Sequence, residues 1–91
     1  MSVQVRVPTI LRTYTDGASE VTAEGATLAD VLADLDERFS GIRARIVDET
    51  GELRRFVNVY VGNDDVRFLS GLGTATPDGT QVSVIPAVAG G

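Results

Sequence analysis

Three stretches of the chain alternate apolar and polar residues with the two-residue period of a half-buried β-strand. Every second residue is valine in residues 3–7, and residues 81–85 alternate in the same way and are rich in β-branched side chains. The strongest signal is residues 55–61, with valines on one face and Phe56, an asparagine and Tyr60 on the other. We therefore predict a strand at each of these three places.

The first predicted strand is followed by the signals of a hairpin. Pro8 is the expected end of the strand, while Ile10 and Leu11 are candidates for prolonging its apolar face. Asp16-Gly17 is a turn dipeptide, and residues 19–23 have the composition of a strand that pairs back onto the first.

One helix is expected after Gly25, because apolar residues then recur at helical spacing. Thr27 can accept a hydrogen bond from a backbone N–H of the first turn, and Gly41 is a plausible left-handed stop. The apolar stripe comprises Leu28, Val31, Leu32, Leu35 and Phe39. A stripe on one side of the helix needs a sheet to cover it.

The remaining segments give weaker signals. Residues 42–47 fit either a short helical turn or a strand, and residues 66–69 read as a short strand. Asp64 and Asp65 read as a solvated turn rather than a metal or acid–base pair, and Leu72 is expected to point inward.

The order of elements is strand, strand, helix, strand, short strand, strand. If the first and last strands lie side by side they must run parallel, because a crossover containing the helix separates them. Four or five strands packed on one main helix make an α+β fold of the β-grasp type found in ubiquitin. We predict one domain over residues 1–86 and a flexible tail over residues 87–91.

Composition removes several classes of function. The chain has no cysteine and no histidine, so thiolate chemistry and the usual zinc ligands are excluded and no bound cofactor is expected. A net charge of −5 argues against nucleic acid and favours partners with basic surfaces. No apolar run is long enough for a membrane span, so we expect a soluble, cytoplasmic protein. We also expect it to be a monomer when alone.

The sequence ends on Pro86-Ala87-Val88-Ala89-Gly90-Gly91. Pro86 cannot donate a ladder hydrogen bond and so suits the point where the last strand gives way to an extended arm. Frayed chain is the plain alternative, because most termini are poorly ordered. The two terminal glycines lack a Cβ, so they can take backbone angles that other residues resist.

Taken together, the chain resembles the MoaD/ThiS family of ubiquitin-like sulfur carriers. The resemblance rests on the order of elements, the strand at 54–61, the segment at 64–68, the Asp78-Gly79 turn and the ending at 86–91. The run at 7–12 and the last six residues are most similar to the branch of the family that serves cysteine biosynthesis.

The resemblance implies a function for the C-terminus. An E1-like adenylyltransferase/sulfurtransferase would use ATP to adenylate Gly91, preceded by Gly90, and sulfur transfer would give a thiocarboxylate. The sulfur would pass to a pyridoxal-phosphate-dependent cysteine synthase that uses O-phosphoserine, and a zinc metalloprotease would release cysteine. The chain itself would be a co-substrate and not an enzyme.

Residues that would contact these partners follow from the predicted sheet. Phe56, Tyr60 and Ile85 are expected on an apolar sheet face opposite the helix, unless loops or residues 42–47 cover them; in the tail, Val88 and Ala89 complete the predicted partner-binding set. A further set of arginines is interpreted mainly as solubilising, with pairing to a partner's acids as the alternative: Arg54, Arg55 and Arg67.

Three other functions remain open at this stage. The small subunit of molybdopterin synthase can end in nearly the same way. A ubiquitin-like protein modifier would instead join its terminal glycine to a lysine of another protein. The third possibility is a structural binding module whose tail is inert.

Overall fold

Five strands form one mixed sheet in the computed structural model, which describes residues 2–55 and 57–86. The strands of this described part are β1 (Ser2–Arg6), β2 (Glu20–Glu24), β3 (Val57–Val61), β4 (Asp64–Asp65) and β5 (Gln81–Pro86). Their order across the sheet is β2-β1-β5-β3-β4. The predicted α+β, ubiquitin-like β-grasp class is confirmed.

The two central strands are parallel, as predicted. Val5 of β1 lies opposite Val82 of β5, and β3 runs antiparallel along the other side of β5. The alternating valines of all three strands point to the same side, where they are buried. The predicted hairpin is also present, because β2 pairs antiparallel with β1 after a turn in which Asp16 and Gly17 both have positive φ.

Helix α1 (Leu28–Arg38) covers the buried face of the sheet. The Thr27 hydroxyl accepts a hydrogen bond from the Asp30 backbone N–H at 3.4 Å, which confirms the predicted N-cap. The members of the predicted stripe that lie within α1 are fully buried: Leu28, Val31, Leu32 and Leu35.

Residues 42–47, ambiguous in the sequence, contain a second short helix, α2 (Ile42–Ile46). Gly41 has a φ of 98°, but it is the N-cap of α2, whereas α1 ends at Arg38 and has Phe39 as its C-cap. The Asp36 carboxylate accepts hydrogen bonds from the N–H groups of Gly41 and Arg43, at 3.0 and 3.2 Å. This side-chain cap favours a helix over a strand. In the helix, Ile42 and Ile46 are one turn apart on the same side, and both are buried.

Three predictions about short segments were wrong. Residues Thr9–Thr15 form a 3-10 helix, so Leu11 is buried while Ile10 points to solvent and neither prolongs β1. Asp64–Asp65 is a short strand rather than a solvated turn, and the expected strand at 66–69 is replaced by a 3-10 helix at Val66–Phe68. The 3-10 helix starts at Val66 because the Asp65 carboxylate accepts a hydrogen bond from the Arg67 N–H at 2.8 Å.

The outer edge of β2 is covered by two side chains of α1. The Asp34 carboxylate accepts a hydrogen bond from the Glu24 N–H at 2.9 Å, and the Arg38 guanidinium donates to the Thr22 carbonyl. Asp34 and Arg38 also form a salt bridge at 2.6 Å. These contacts occupy backbone groups that an added strand would need, and we call them the edge clamp.

The expected inward orientation of Leu72 is confirmed, since it packs against the core. None of the helices in the described residues is both long enough and apolar enough to cross a membrane.

Candidate functional site

The base of the tail is the end of a central strand, in which residues 81–83 pair with β1 and residues 84–86 pair with β3 alone. Strand β5 has β1 on one side and β3 on the other, and its last residue, Pro86, lies opposite Val57. Strand β5 therefore fixes the position and direction in which the following residues leave the domain. The tail residues named from the sequence, Val88, Ala89, Gly90 and Gly91, lie outside the described residues, and so does Phe56.

Two predicted docking residues do lie on the sheet face opposite α1. Ile85 is 47% exposed beside Asn58, and Tyr60 is half-buried beside Ser83. Their orientation follows from the pleat, because the neighbouring valines point into the core. The expectation of an apolar face was wrong in one respect. Around Ile85 and Tyr60 the face is polar, since β1 contributes Gln4 and Arg6 and β2 adds further polar side chains.

Arg67 lies over this face and is more than a solubilising residue. Its guanidinium donates hydrogen bonds to the Asn58 side-chain oxygen and to the Arg54 carbonyl, the latter at 2.8 Å. Arg54 is also tied internally, because its Nε donates to the Ala44 carbonyl at 2.8 Å. The two arginines join the segment before β3 to the segment after β4, so the solubilising interpretation was incomplete for both.

A shallow groove of about 450 Å³ opens beside the base of the tail. It runs between the end of β5 and the 3-10 helix that follows β1, with Ile85 on one side and Ile10, which is 66% exposed, on the other. Arg6 and Arg12 also line it, and the Arg12 Nε donates to the Val7 carbonyl at 3.1 Å. We call it the tail groove; its lining is Arg6, Val7, Pro8, Thr9, Ile10, Arg12, Ser83, Val84, Ile85 and Pro86.

Sequence reasoning missed two exposed apolar residues as well as Ile10. Phe68 is 87% exposed and Leu69 is 49% exposed, at and just after the 3-10 helix that follows β4. The sequence signal was the adjacent pair Phe68-Leu69, which an alternating strand would have placed on opposite faces. A single 3-10 turn leaves both in solvent.

Within residues 2–55 and 57–86, no group of acidic side chains is arranged to hold a metal ion. Two carboxyls have a lowered pKa, and each has a structural duty. A hydrogen bond from the Glu24 N–H is the main reason that the pKa of Asp34 is lowered. The hydroxyl of Thr50, and next the N–H of Glu52, lower the pKa of Asp48. The lowered pKa values of Asp34 and Asp48 are therefore explained by hydrogen bonds within the fold.

Comparison with known proteins gives consistent matches along the whole chain. The model of the ThiS family matches residues 5–91. The chain is 52% identical over 93 aligned residues to the sulfur carrier protein CysO of Mycobacterium tuberculosis, with all of both chains covered. It is 41% identical over 68 residues to small archaeal modifier protein 3 of Haloferax volcanii, covering 75% of this chain and 73% of that protein.

The fold matches a solved structure closely. In the crystal structure of the BexX/CysO complex of Amycolatopsis orientalis, the matching chain is 49% identical and superposes with a TM-score of 0.92, covering 98% of this chain and 99% of that one. That protein was therefore crystallised together with a second protein.

Proposed function

The chain belongs to the ThiS family, and on that premise we propose that it is a sulfur carrier whose terminal glycine, Gly91, carries the sulfur atom as a thiocarboxylate. The observation that carries this proposal is the 52% identity to a sulfur carrier along the whole of both chains, the Gly90-Gly91 ending included. The relatives are named carriers, so this chain is a protein co-substrate and not an enzyme.

Activation is needed because a carboxylate resists nucleophilic attack. In the proposed reaction an oxygen of the Gly91 carboxylate attacks the α-phosphorus of ATP and pyrophosphate leaves, which gives an acyl adenylate. A sulfur donor at the oxidation level of sulfide then attacks the carbonyl carbon and AMP leaves, so one oxygen has been replaced by one sulfur. In this proposal the E1-like enzyme binds ATP, whereas the carrier supplies the reacting carboxylate and binds no cofactor.

The described part of the chain fits this division of labour. The reacting carboxylate has to reach a nucleotide site inside another protein, and five residues separate Pro86 from it. Because β5 is paired with β1 through Ser83 and with β3 up to Pro86, the domain offers a fixed base for those residues. Ile85 and Tyr60 lie on the face beside that base and are the described members of the proposed docking set, with Phe56, Val88 and Ala89 completing it.

We propose cysteine as the destination of the sulfur. The support is the similarity to the sulfur carrier protein CysO, together with the sequence resemblance to the branch of the family that serves cysteine biosynthesis. In this proposal the thiocarboxylate sulfur bonds to the β-carbon of O-phosphoserine in a pyridoxal-phosphate-dependent cysteine synthase, and phosphate leaves. The amine of the new cysteine then attacks the thioester carbonyl of Gly91 and displaces the sulfur, which gives an amide. A zinc metalloprotease hydrolyses this amide and frees cysteine. The activating enzyme uses ATP and the cysteine synthase uses O-phosphoserine, both of which are cytoplasmic metabolites, so the proposal places the carrier in the cytoplasm.

The test uses the intact protein with ATP, an E1-like activating enzyme and sulfide, followed by intact-mass measurement. The expected result is a mass gain equal to the exchange of one oxygen for one sulfur, located at the C-terminus by fragmentation. Adding O-phosphoserine and a cysteine synthase should then replace that species by a carrier bearing one cysteine residue. Unchanged mass under conditions that thiolate a known carrier would refute the proposal.

A truncated variant separates chemistry from folding. Deleting Gly90 and Gly91 should abolish activation, because the reacting carboxylate no longer reaches the nucleotide site. The thermal melting temperature should stay close to that of the full chain, since the described core ends at Pro86. A large loss of stability would instead assign the two glycines a structural role.

A second function is supported by the similarity to small archaeal modifier protein 3. In a modifier, the adenylated Gly91 would be attacked by a lysine amine of another protein and AMP would leave, forming an isopeptide. Conjugates that survive reductant on a denaturing gel would support it. Hydroxylamine cleaves a thioester but not an isopeptide. Treatment with hydroxylamine therefore distinguishes an isopeptide conjugate from a thioester-linked one.

A further inference from the structure

The tail groove differs in charge from the rest of the molecule. It is lined by two arginines, Arg6 and Arg12, and by no carboxylate, in a chain whose net charge is −5. Helix α1, on the opposite side of the sheet, carries four carboxylates and one arginine. The overall acidic balance therefore does not describe the surface beside the tail, although the sequence had favoured basic partner surfaces.

The two arginines differ in how firmly they are held. Arg12 is half-buried and its Nε is bonded to the Val7 carbonyl, so it is part of the wall of the groove. Arg6 is exposed on β1, between Ser83 of β5 and Glu20 of β2, and its guanidinium makes no hydrogen bond or salt bridge with the other described residues. Arg6 is thus the charge that a partner can pair with at the lowest structural cost.

The apolar part of the groove lies between these charges and the tail. Ile10 and Ile85 are two of the large apolar side chains that the described residues leave exposed, and both line this groove. Burial of exposed aliphatic side chains against an apolar side chain of a partner makes a favourable contribution to the free energy of binding. Pro86 also lines the groove, so a partner segment bound there would lie beside the point where the described chain ends.

From these observations we propose that the tail groove is the binding site for an acidic segment of the activating enzyme, with an apolar side chain seated between Ile10 and Ile85 and a carboxylate paired with Arg6. This inference rests on the proposed function and names the chemistry of the partner surface. The carboxylates of α1 lie away from the groove, so an acidic partner surface is attracted by one side of the domain and repelled by the other. Such a charge asymmetry orients the domain tail-first during encounter.

The test measures association of the carrier with an E1-like activating enzyme by stopped-flow fluorescence at low and at high salt. Arg6→Gln should slow association about three- to tenfold at low salt and flatten its salt dependence, because charges at the rim of an interface act mainly on the association rate. Arg6→Lys retains the charge and should stay within about twofold of wild type.

The matched control is Arg43→Gln, which removes one positive charge from α2, and it should leave the association rate unchanged. Equal slowing by Arg43→Gln and Arg6→Gln would overturn the proposal, since net charge alone would explain it, and so would an unchanged rate for Arg6→Gln. Melting temperatures near wild type are expected for all three variants because each side chain is at least partly exposed.

The apolar half of the proposal has its own comparison. Ile10→Ser should weaken the equilibrium affinity about tenfold, the usual effect of losing one buried aliphatic contact. Phe68→Ser removes a more exposed apolar side chain outside the groove. If Phe68→Ser weakens binding and Ile10→Ser does not, the groove is not the docking site.

Failure of the two proposals can be told apart. Wild-type carrier that binds the enzyme without being adenylated would refute the proposed function, while the Arg6 and Ile10 variants would still report on the groove through binding alone. Normal adenylation with binding rates that ignore these variants would refute the groove and leave the sulfur-carrier proposal standing. Wild-type carrier that does not bind the activating enzyme would overturn both.

Discussion

Replacing Asp34 with asparagine tests the edge clamp that joins α1 to β2. The Asp34 carboxylate accepts a hydrogen bond from the Glu24 N–H at 2.9 Å and pairs with Arg38 at 2.6 Å. Asparagine has nearly the same shape and keeps one acceptor oxygen, so the substitution removes mainly the negative charge.

The expected loss follows from the two contacts. A hydrogen bond to a charged group contributes about 1.5–3 kcal/mol and a neutral one about 0.5–1.5 kcal/mol, so the Glu24 contact loses about 1 kcal/mol. The pair with Arg38 is partly exposed and adds less than about 1 kcal/mol. Asp34→Asn should therefore lower the free energy of unfolding by about 1–2 kcal/mol at neutral pH, or about 4–8 °C in melting temperature per kcal/mol.

The pH dependence gives the sharper test. The pKa of Asp34 is lowered in the folded protein, first by the Glu24 N–H and also by Arg38. A lowered folded-state pKa means that the stabilisation is fully present above the unfolded-state value of about 4 and is lost as the pH falls through the folded-state value. Wild type and Asp34→Asn should thus converge in stability in acid and differ at neutral pH.

Urea denaturation at neutral pH and at a series of pH values from about 4 downward, past the lowered folded-state pKa of Asp34, measures both quantities. Glu37→Gln is the control, because it removes one negative charge from an exposed position of the same helix. Hydrogen exchange at the Glu24 amide should speed up in Asp34→Asn alone. Equal stability of Asp34→Asn and Glu37→Gln at neutral pH, or a difference between Asp34→Asn and wild type that persists unchanged in acid, would refute the clamp.

Three further substitutions test the packing that supports the sheet and the turn. Gly25→Ala should lower the free energy of unfolding by about 1–3 kcal/mol, because an added Cβ would lie 2.6 Å from the Val31 backbone nitrogen; a neutral thermal melt would contradict this geometry. Leu32→Ala removes a fully buried side chain from α1 and should cost about 2–5 kcal/mol in chemical denaturation, and a cost below 1 kcal/mol would show that the core collapses around the site. Asp65→Ala removes the cap on the Arg67 N–H and should cost about 0.5–2 kcal/mol while leaving α1 intact by circular dichroism; loss of helix signal would point to a wider role.

The main elements were predictable because each is encoded by its own residues. Alternating valines identified the three inner strands, and the Thr27 cap with the leucine stripe identified α1. Parallel pairing of β1 with β5 followed once a helix-bearing crossover was assumed. Local patterns with one period suffice where burial is on one face only.

The short segments could not be predicted in the same way, because their conformation depends on a side chain that accepts a hydrogen bond from a nearby backbone N–H. Asp36 decides that residues 42–46 are helical, and Asp65 decides that the chain turns into a 3-10 helix after β4. A pattern of apolar and polar residues does not register such capping contacts.

The candidate site was predicted in part. The outward orientation of Tyr60 and Ile85 follows from strand alternation, and it is confirmed. The contact of Arg67 with Asn58 and with the Arg54 carbonyl joins segments on both sides of a strand and is not visible in the sequence. The same holds for the tail groove, which exists only where the end of β5 meets the 3-10 helix after β1.

If the residues after Pro86 are drawn into another protein, as proposed above, the central position of β5 has a mechanical consequence. A pull on the residues after Pro86, directed along the strand, loads the hydrogen bonds to β1 and to β3 in shear, so that many of them must break together. A strand at the edge of a sheet, pulled outward, would instead peel away one bond at a time. The tail can therefore transmit a force to the domain while the sheet that anchors it stays intact.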